Sequence, residues 1–593
     1  MKKRIVLLMF CAMLICGIAQ ADVTVPTMFS CHAVLQRNMS VPVWGTASPG
    51  EQVTVEFHGQ SKTTETSGSG DWMVYLDPMV ASSSPSDMVI RGYVNDITTN
   101  VITIKGVQVG EVWVGSGQSN MQRPLSDDCD AAAAIADPGN YNMRFFNVTA
   151  NGGNVGSTVW QVSDASSAPA MSAVHFFFGR HLAQEMPNVP MGMITSAVGA
   201  TAIERWATCA GSGGLYTGQI VPLQPYGIKG VTWYQGEWDS RSAKDSEKYY
   251  WQIPCLIDEW RTDWRRNPSN FPFYIVQMPK MGLSSIHIVR DAELQTALDG
   301  EDGENVEMIV TIDNPGSDVH PPCKKPFGVR FALLALKFEY GHDIDARSPF
   351  YNAAASYVDG NRIGVVFDDV AGGLQSSGGS LAEWEIAGSD GNYVAANADI
   401  VSLDTVEVSS PSVPIPVSAR YAFSPNPAAN NLINSVGLPA SPIREVTPGV
   451  GGPLCGDTNC DPGEDQCNCP GDCGTPPLEE TNCTDGINED CDTDTDCDDA
   501  DCMGDPACPY CGDATCDSDE DQCNCAADCG TPFSTETSCT DGDDNDCDTD
   551  IDCDDSDCLG DQACPYCLPK GAACTDNTDC CSSNCLPAGK CAK

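Results

Sequence analysis

Apolar and polar residues form three successive patterns along the first 445 residues of the chain. Up to residue 107, short β-type runs are separated by turn sequences such as Pro49-Gly50, which predicts a small β-sandwich. Between residues 110 and 345, strand-type runs alternate with helical stretches, and this alternation predicts a mostly parallel sheet with helices on both faces. From residue 350 to about residue 445 the β pattern returns, which predicts a second β module.

The same pattern predicts the individual elements. The strands of the first region are predicted at residues 41–45, 52–57, 72–76, 88–93 and 100–104. The middle region has predicted strands at residues 112–114, 191–195, 230–234, 273–277 and 306–312 and predicted helices at residues 171–185, 248–264, 290–298 and 326–340. The last region has predicted strands at residues 362–367, 384–387, 405–409 and 419–422. In a parallel sheet of this kind we expect the active site at the carboxyl ends of the strands.

The first residues have the composition of a secretory signal peptide. A basic segment at residues 2–4 precedes an apolar run over residues 5–18, and residues 19–21 have the small side chains of a cleavage site. No later run reaches the roughly 18 apolar residues that a membrane span requires. We therefore expect an exported protein, secreted, periplasmic or extracellular, that has no membrane partner and whose mature chain begins at Asp22.

Composition and pattern together predict eight segments. They are a signal peptide at residues 1–21, an N-terminal β-sandwich at 22–107, an α/β domain at 108–345, a C-terminal β module at 346–446, a linker at 447–454, two Cys/Asp-rich repeats at 455–510 and 511–566, and a terminal cysteine module at 567–593. The linker is recognised by its proline and glycine residues.

Negative charge and cysteine are both concentrated after residue 450. The chain has a net charge of −51, and residues 451–593 contain 37 Asp and Glu against 3 Lys. Such a segment repels phosphates, which excludes nucleic acid as its partner. Of the 33 cysteines, 26 lie from Cys455 onward, and in an exported chain we expect these cysteines to form disulfides.

The cysteines also define an internal repeat. Ten cysteines at residues 455–508 recur 56 residues later at residues 511–564, and the last six, from Cys567 onward, resemble an inhibitor-cystine-knot framework, which makes residues 567–593 knottin-like. Six cysteines allow fifteen pairings, so the connectivity stays open. Two more cysteines lie in the predicted signal peptide and five are scattered, and because five is odd we expect at least one buried free thiol among Cys31, Cys129, Cys209, Cys255 and Cys323.

Each repeat also contains aspartates at alternate positions. These ladders are Asp492, Asp494 and Asp496 in the first repeat and Asp548, Asp550 and Asp552 in the second. Carboxylates in this pattern suit calcium, but the ladders lack the glycine and the terminal glutamate of an EF-hand loop, and solvated acidic surface is the alternative interpretation. The tail is interpreted either as a disulfide-stapled spacer or as a calcium-dependent module that attaches the protein to a surface or a glycan.

A serine nucleophile is predicted at the end of a buried strand. Residues 115–121 read Gly-Ser-Gly-Gln-Ser-Asn-Met and follow an apolar run, so that a turn permitted by glycine exposes Ser119. A serine hydroxyl requires a neutral imidazole within hydrogen-bond reach before it can attack an ester. Among the seven histidines, His320 follows a predicted strand and has Asp318 close by, whereas His175 lies in an amphipathic stretch that favours a packed position.

Four segments resemble the sialate O-acetylesterase family, which belongs to the SGNH, or GDSL-like, hydrolase superfamily. They are GEVWVGSGQSNM at residues 110–121, GATAIERW at 199–206, GVTWYQGEWDS at 230–240 and DVHP at 318–321. The resemblance covers about residues 22–444 and implies an SGNH-type three-layer α/β/α hydrolase domain flanked by small β-sandwich modules. It also implies a secreted serine esterase that removes O-acetyl groups from sugars, foremost sialic acid, through an acetyl-serine intermediate and without a catalytic cofactor.

The resemblance implies roles for the site residues. Ser119 is the nucleophile, His320 is the general base, and Asp318 is the acid that orients the imidazole, two positions before the histidine as in the family's own pattern. The superfamily usually has this acid three positions before the histidine, where this chain has Ser317. Asp313 and Glu237 are substitute candidates for the acid, and a serine-histidine dyad without an acid stays open.

Donors to the oxyanion are expected to be the backbone N–H groups of Ser119 and Gly199 and the side-chain amide of Gln235. The chain departs from the family at Ala200, where the family has glycine, and at Gln122-Arg123, where the family more often has Glu-Trp. We expect the second departure to alter the wall of the pocket rather than its chemistry. Accessory or substrate-binding roles are expected among Asn120, Arg123, Trp233 and Glu237, and Trp206, Tyr234 and Trp238 are further aromatic side chains that either stack on a sugar or belong to the core.

Two other functions fit the same residues. One is the deacetylation of a plant or algal polysaccharide such as acetylxylan, because the same motifs serve several acetylated sugars. The other belongs to a different class, a non-catalytic carbohydrate-binding or surface adhesion protein in which the hydrolase domain is vestigial and the cysteine-rich tail carries the function.

Overall fold

The computed structural model describes residues 23–137, 142–149, 152–264, 270–299, 305–316 and 318–448, together with two short strands near the carboxyl terminus. The predicted signal peptide, the acidic repeats and their aspartate ladders lie outside these residues. The chain divides into two compact units, residues 1–450 and 451–593. None of the described helices combines the length and the apolar character needed to cross a membrane.

The first part of the described chain is built from seven strands. They are β1 (Val34–Gln36), β2 (Val41–Thr46), β3 (Gln52–Phe57), β4 (Gln60–Glu65), β5 (Asp71–Leu76), β6 (Ser82–Val94) and β7 (Ile97–Gly117). Strand β2 pairs with β5, β3 pairs with β4 and β6, and β6 pairs with β7, all antiparallel. Val53, Val55 and Phe57 alternate with less buried residues along β3, because one face of the strand lies on the core.

Strand β7 is 21 residues long and belongs to two environments. Its first half pairs with β6, whereas its second half enters a parallel sheet, and every residue from Val107 to Gly117 is buried. A strand that is covered on both faces is buried at every position rather than at alternate positions. The predicted boundary between residues 107 and 108 falls inside this continuous strand.

The remaining strands of that sheet are β8 (Met143–Asn147), β9 (Gln161–Val162), β10 (Met191–Ala197), β11 (Gly230–Tyr234), β12 (Phe273–Val276) and β13 (Val306–Ile309). Their order across the sheet is β13-β12-β11-β7-β10-β8-β9, and all neighbours are parallel except β8 and β9. The helices are α1 (Ser119–Gln122), α2 (Ala131–Ala136), α3 (Ala173–Glu185), α4 (Ala243–Asp263), α5 (Ile286–Asp299) and α6 (Lys325–Phe338).

Helices cover both faces of this sheet. Thr232 and Trp233 are successive residues of β11 and therefore point to opposite faces. His175 of α3 hydrogen-bonds to Thr232, whereas Trp260 of α4 packs against Trp233 with ring centroids 6.0 Å apart. Helix α3 packs against α6, and α4 packs against α5. The predicted α/β fold class, with a mostly parallel sheet between two helical layers, is confirmed.

Two differences from the predicted elements have local causes. Helix α4 begins at Ala243, five residues before the predicted start at 248, because the Ser242 hydroxyl caps it and accepts the Asp245 N–H at 3.2 Å. Strand β8 has no counterpart in the prediction, although it pairs with β10 along five residues.

The last described region contains β14 (Phe350–Asp359), β15 (Arg362–Asp368), β16 (Leu374–Ser376), β17 (Trp384–Ala387), β18 (Val394–Ala395), β19 (Asn397–Ile400), β20 (Thr405–Ser409), β21 (Ser418–Tyr421), β22 (Leu432–Asn434) and β23 (Ile443–Val446). It has two four-stranded sheets, β14-β15-β20-β19 and β18-β17-β21-β23, which share one apolar core. In the second compact unit, β24 (Cys585–Leu586) and β25 (Lys590–Cys591) form an antiparallel pair.

The five scattered cysteines form two disulfides and leave one thiol. Cys129 is bonded to Cys323, and Cys209 is bonded to Cys255. Cys31 is free, and it is exposed rather than buried. The expectation of a buried free thiol was therefore wrong, because Cys31 lies in a surface turn before β1.

Candidate active site

Ser119 lies just beyond the carboxyl end of β7, where two neighbouring strands approach the chain closely. The carbonyl oxygen of Gly117 accepts the Val198 N–H at 3.1 Å, and the next N–H, from Gln118, is donated to the Tyr234 carbonyl at 3.0 Å. Gly117 has a φ of +128°, and a Cβ at this position would lie 2.1 Å from the Tyr234 carbonyl oxygen. Only glycine allows β7 to turn here and present Ser119 at the edge of the sheet.

His320 lies against Ser119 although the two residues are 201 positions apart in the chain. Its Nε2 atom is 2.9 Å from the Ser119 Oγ, and both residues are half-buried. His175, by contrast, is fully buried between Thr232 and Thr195, at 2.8 and 3.3 Å from their hydroxyls. Its burial lowers its pKa to about 3, which makes it a neutral structural histidine.

Asp318 contacts the main chain of His320 rather than its ring. Its Oδ1 accepts the His320 backbone N–H at 2.8 Å, the geometry of an Asx turn that a spacing of two residues favours. No hydrogen-bond acceptor for the His320 Nδ1 is found in the part of the chain that the structure describes. Of the substitute acids, Asp313 is paired with Arg330 at 2.5 Å, and Glu237 is buried against Asn120. The described residues therefore form a serine-histidine dyad.

The surroundings of His320 favour its neutral form. Partial burial lowers the pKa of His320 below its usual value of 6.5, and the positive charges of Arg123 and Lys324 lower it further. The negative charge of Asp318 opposes these effects but is exposed to solvent. A neutral imidazole is the form that accepts a proton from a serine hydroxyl.

Gly199 brings a backbone N–H next to the serine. A Cβ at residue 199 would lie 3.3 Å from the Ser119 Cβ and 3.0 Å from the Gln122 Oε1, so that a larger residue would press against both side chains. The Gly199 N–H is donated to the Gln122 Oε1 at 2.6 Å. Gln122 was expected only to shape the wall of the pocket. Its amide oxygen instead accepts the hydrogen bond of the Gly199 N–H, which was predicted to donate to the oxyanion.

Gln235 does not match its predicted role as an oxyanion donor. Its side chain is fully buried. Its amide nitrogen, Nε2, lies within hydrogen-bond distance of the Thr201 carbonyl, the Asp239 carboxylate and the Gln118 Oε1. An amide NH2 group has two protons, so both are engaged inside the protein. The residue joins the turn after β11 to the turn after β10, and the prediction is corrected to this structural role.

Asn120 is the centre of a buried polar cluster behind the nucleophile. Its Nδ2 donates to the Val319 carbonyl at 2.9 Å and to the Glu237 carboxylate, and its Oδ1 accepts from the Lys324 ammonium. Burial raises the pKa of Glu237 to about 7 and lowers the pKa of Lys324 to about 7. The sequence analysis did not single out Lys324, because no hydrophobic pattern distinguishes a buried lysine from a solvated one.

The aromatic candidates divide by burial. Trp206, Trp233 and Tyr234 belong to the core, and Trp233 is 1% exposed with its indole N–H directed to the Tyr249 hydroxyl at 3.2 Å. The predicted substrate-binding role of Trp233 is therefore wrong, because its ring has no face open to a sugar. Trp238 is 36% exposed, and the Arg241 guanidinium lies 3.6 Å from its ring centroid.

Two features lie at the residues that follow Ser119 in the chain. Arg123 is 37% exposed and pairs with Asp127 at 3.6 Å. A cleft of about 450 Å³ opens beside Gln122 and has no charged residue in its lining, which consists of Gln122, Pro124, Ser126, Asn147, Thr149, Pro169 and Ala170. Asn147 ends β8, so the strand that the sequence analysis missed supplies one wall of this cleft.

The potential ligand atoms of Asp128, Cys129 and Asp130 lie within 4.8 Å of one another. The Cys129 sulfur is bonded to Cys323, however, and an Asp128 oxygen accepts the Lys324 N–H at 2.6 Å. This group therefore does not offer three free ligands to a metal ion.

The chain is similar to known carbohydrate esterases. Residues 109–322 match the model of a family described as carbohydrate esterase, sialic acid-specific acetylesterase. The chain is 28% identical over 358 residues to the sialate O-acetylesterase of Homo sapiens, covering 50% of this chain and 67% of that protein. It is 26% identical over 395 residues to the Mus musculus enzyme of the same name, covering 52% and 72%.

A solved structure covers more of the chain. A carbohydrate acetylesterase from Xanthomonas citri is 31% identical and superposes with a TM-score of 0.64, covering 71% of this chain and 99% of that protein. The family match includes the segments that hold Ser119, Gly199 and His320.

Ala200 occupies a left-handed backbone conformation with a φ of +58°. A residue with a Cβ is strained there by roughly 1 kcal/mol relative to glycine. We expect Ala200→Gly to increase the free energy of unfolding by about this amount, measured by denaturant titration. The exposed glycine Gly59, which has a φ of +76°, provides the opposite control, since Gly59→Ala is expected to destabilise. An unchanged stability of Ala200→Gly would contradict the argument.

The lowered pKa of His320 predicts activity that persists in mild acid. Because the neutral imidazole is the active form, kcat/KM for an aryl acetate should decline only below pH 6.5, with its midpoint on the acid side of the usual histidine value. Arg123→Gln removes one of the charges that lower the pKa, so its midpoint should move towards higher pH. A wild-type midpoint at or above pH 6.5 would contradict this assignment.

Proposed function

Because the chain belongs to the sialic acid-specific acetylesterase family of carbohydrate esterases, we propose that Ser119 and His320 are the residues with which it removes acetyl groups from sugars. The observation that supports this proposal most directly is the 2.9 Å contact between the His320 Nε2 and the Ser119 Oγ. Nucleophile and base within this distance are what acyl transfer by a serine requires.

The reaction has two halves. His320 takes the proton of the Ser119 hydroxyl as the oxygen attacks the ester carbonyl carbon, and the tetrahedral intermediate collapses when the imidazolium returns that proton to the sugar oxygen. The sugar leaves with a free hydroxyl, and the acetyl group stays on Ser119. Water then attacks the carbonyl carbon of the acetyl-serine as His320 takes its proton, and the second tetrahedral intermediate collapses as the imidazolium returns that proton to the Ser119 oxygen, which releases acetic acid and restores the free enzyme.

The oxyanion of both tetrahedral intermediates is stabilised by the backbone N–H groups of Ser119 and Gly199. The Gly199 N–H is held by the Gln122 Oε1 at 2.6 Å, so the Gln122 side chain has to withdraw when the ester oxygen arrives. An amide oxygen is neutral, whereas an oxyanion is charged and makes the stronger hydrogen bond to the same donor. The exchange therefore favours the transition state over the free enzyme.

Arg123 supports sialic acid as the sugar that carries the acetyl group. It lies close enough to His320 to lower the pKa of the imidazole, and its exposed pair with Asp127 is weak. Sialic acid has a carboxylate, which a guanidinium binds in preference to water. A neutral acetylated polysaccharide has no carboxylate for Arg123 to bind. A change at Arg123 should therefore affect the two classes of substrate differently.

Ser119→Ala should abolish turnover of an aryl acetate, with a loss of more than about 1,000-fold in kcat. The exposed Ser69, in the turn before β5, provides the control, because Ser69→Ala removes the same atom far from the dyad. An organophosphonate should label the wild-type chain and Ser69→Ala but not Ser119→Ala. Full activity of a folded Ser119→Ala protein would exclude the proposed mechanism.

Arg123→Gln should discriminate between substrates. We expect KM for O-acetylated sialic acid to rise about 10-fold, since a charge-assisted hydrogen bond contributes roughly 1.5 kcal/mol, while kcat/KM for acetylated xylo-oligosaccharide stays within about 2-fold at a pH where His320 is neutral. Arg241→Gln is the matched control, because this arginine contacts Trp238 instead. Equal effects on both substrates would exclude recognition of a carboxylate by Arg123.

The two disulfides among the described residues support the predicted export, because disulfides persist in oxidising compartments.

A further inference from the structure

We propose that Lys324 and Glu237 are positioning residues that act through Asn120 and keep the His320 loop in place against Ser119. This inference rests on the proposed function, because it assigns these residues to the same dyad. The side-chain hydrogen bonds of both residues go to Asn120 and not to the dyad, although the Lys324 charge also lowers the pKa of His320. Both contact the side chain of the residue that follows the nucleophile, and that side chain holds the carbonyl of the residue that precedes the histidine.

The amide group of Asn120 is hydrogen-bonded to three partners through both its NH2 group and its oxygen. Its side chain is fully buried, its two N–H protons match the Val319 carbonyl and the Glu237 carboxylate, and its Oδ1 accepts from the Lys324 ammonium. The Asn120 to Val319 bond, 2.9 Å long, links the two polypeptide segments that supply Ser119 and His320. A change in this bond moves the imidazole relative to the hydroxyl.

The chemistry of Lys324 and Glu237 decides which way the Asn120 amide faces. In their charged forms Lys324 can only donate a hydrogen bond, and Glu237 can only accept one. If the amide were rotated by half a turn, its NH2 group would face the ammonium and its oxygen would face the carboxylate and the Val319 carbonyl. All three contacts would then be repulsive, so Lys324 and Glu237 together enforce the orientation that binds the Val319 carbonyl.

Burial makes this selection strong. Lys324 and Glu237 are each 2% exposed, and the Lys324 ammonium lies 5.3 Å from the ring centroids of both Tyr234 and Phe327. Water that would otherwise compete for the amide is excluded, and polar contacts in such surroundings are stronger than at the surface. Burying two ionisable side chains does not in general stabilise a protein. Their burial here is therefore better explained by the need to fix the orientation of the Asn120 amide.

The other end of the histidine loop has separate anchors. Cys129 donates its backbone N–H to the Pro322 carbonyl at 2.9 Å and is bonded to Cys323, and the Lys324 N–H is donated to Asp128 at 2.6 Å. These contacts hold the segment after His320. Asn120 holds the segment before it, so the imidazole lies between two fixed points rather than at the end of one.

The experiment is a double-mutant cycle between Lys324→Met and Asn120→Leu, with an aryl acetate as substrate. We expect Lys324→Met alone to lower kcat about 10- to 100-fold, because a misplacement on the order of 1 Å can cost 100-fold, with KM within about 3-fold of wild type. In the Asn120→Leu background the same change should cost less than about 2-fold, because the amide through which Lys324 acts is absent.

Lys229→Met is the matched control. Lys229 is also a largely buried lysine paired with a carboxylate, that of Glu339, but it lies before β11 at the opposite end of the strand from the dyad. We expect Lys229→Met to leave kcat unchanged. Equal losses from Lys324→Met in both backgrounds, or a wild-type kcat for folded Lys324→Met, would overturn the positioning role.

If Lys324→Met does not fold, Asn120→Asp answers the same question with a side chain of the same size. Its carboxylate still accepts from Lys324 but presents an oxygen to the Val319 carbonyl, so kcat should fall at least about 10-fold at nearly constant KM. A wild-type kcat in folded Asn120→Asp would overturn the proposal. Failure of the proposed function is recognised separately, because folded Ser119→Ala would then retain activity.

Discussion

The catalytic geometry depends on holding one loop against one turn. Ser119 and His320 meet at 2.9 Å, although 201 positions separate them in the chain, so their contact depends on interactions that fix residues 319–324 against residues 119–129. These interactions differ in kind: a disulfide, a main-chain hydrogen bond, a main-chain N–H donated to the Asp128 carboxylate and a buried side-chain cluster. A general base is effective only within hydrogen-bond reach of the proton it takes, so in the proposed mechanism each of these contacts helps to keep His320 within reach of Ser119.

Close packing at the sheet edge imposes the second constraint. Gly117 approaches the Tyr234 backbone at a distance that no Cβ allows, and Gly199 approaches Ser119 and Gln122 so closely that a Cβ there would make tight contacts. Ala200, which follows Gly199, has a left-handed backbone conformation that is unfavourable for a residue with a Cβ. The surrounding contacts therefore hold the backbone in this conformation in spite of the strain. The strain is localised in a turn whose Thr201 side chain and carbonyl are both hydrogen-bonded to the surrounding structure.

Hydrophobic pattern was sufficient to predict most of the α/β sheet and the order of its elements. It missed β8, and its boundaries at α4 were displaced, because a short buried strand and a serine cap are defined by neighbours rather than by periodicity. The residues of the dyad were predicted because they lie in specific motifs. Gln235 lies in an equally specific motif, yet its amide is engaged internally, which only the packing of Asp239 and Thr201 reveals.

Among the described residues, no side chain accepts a hydrogen bond from the His320 Nδ1. In the proposed mechanism, the charges that develop must therefore be stabilised by other groups. In the proposed mechanism no acid stands at Nδ1, and the exposed Asp318 favours the imidazolium less than burial, Arg123 and Lys324 oppose it. A base with a lowered pKa takes the serine proton less readily, so a larger share of the rate must come from the oxyanion donors. In the proposed mechanism the Gln122 amide keeps the Gly199 N–H hydrogen-bonded until an ester oxygen replaces it, so a residue that departs from the family pattern controls access to one oxyanion donor.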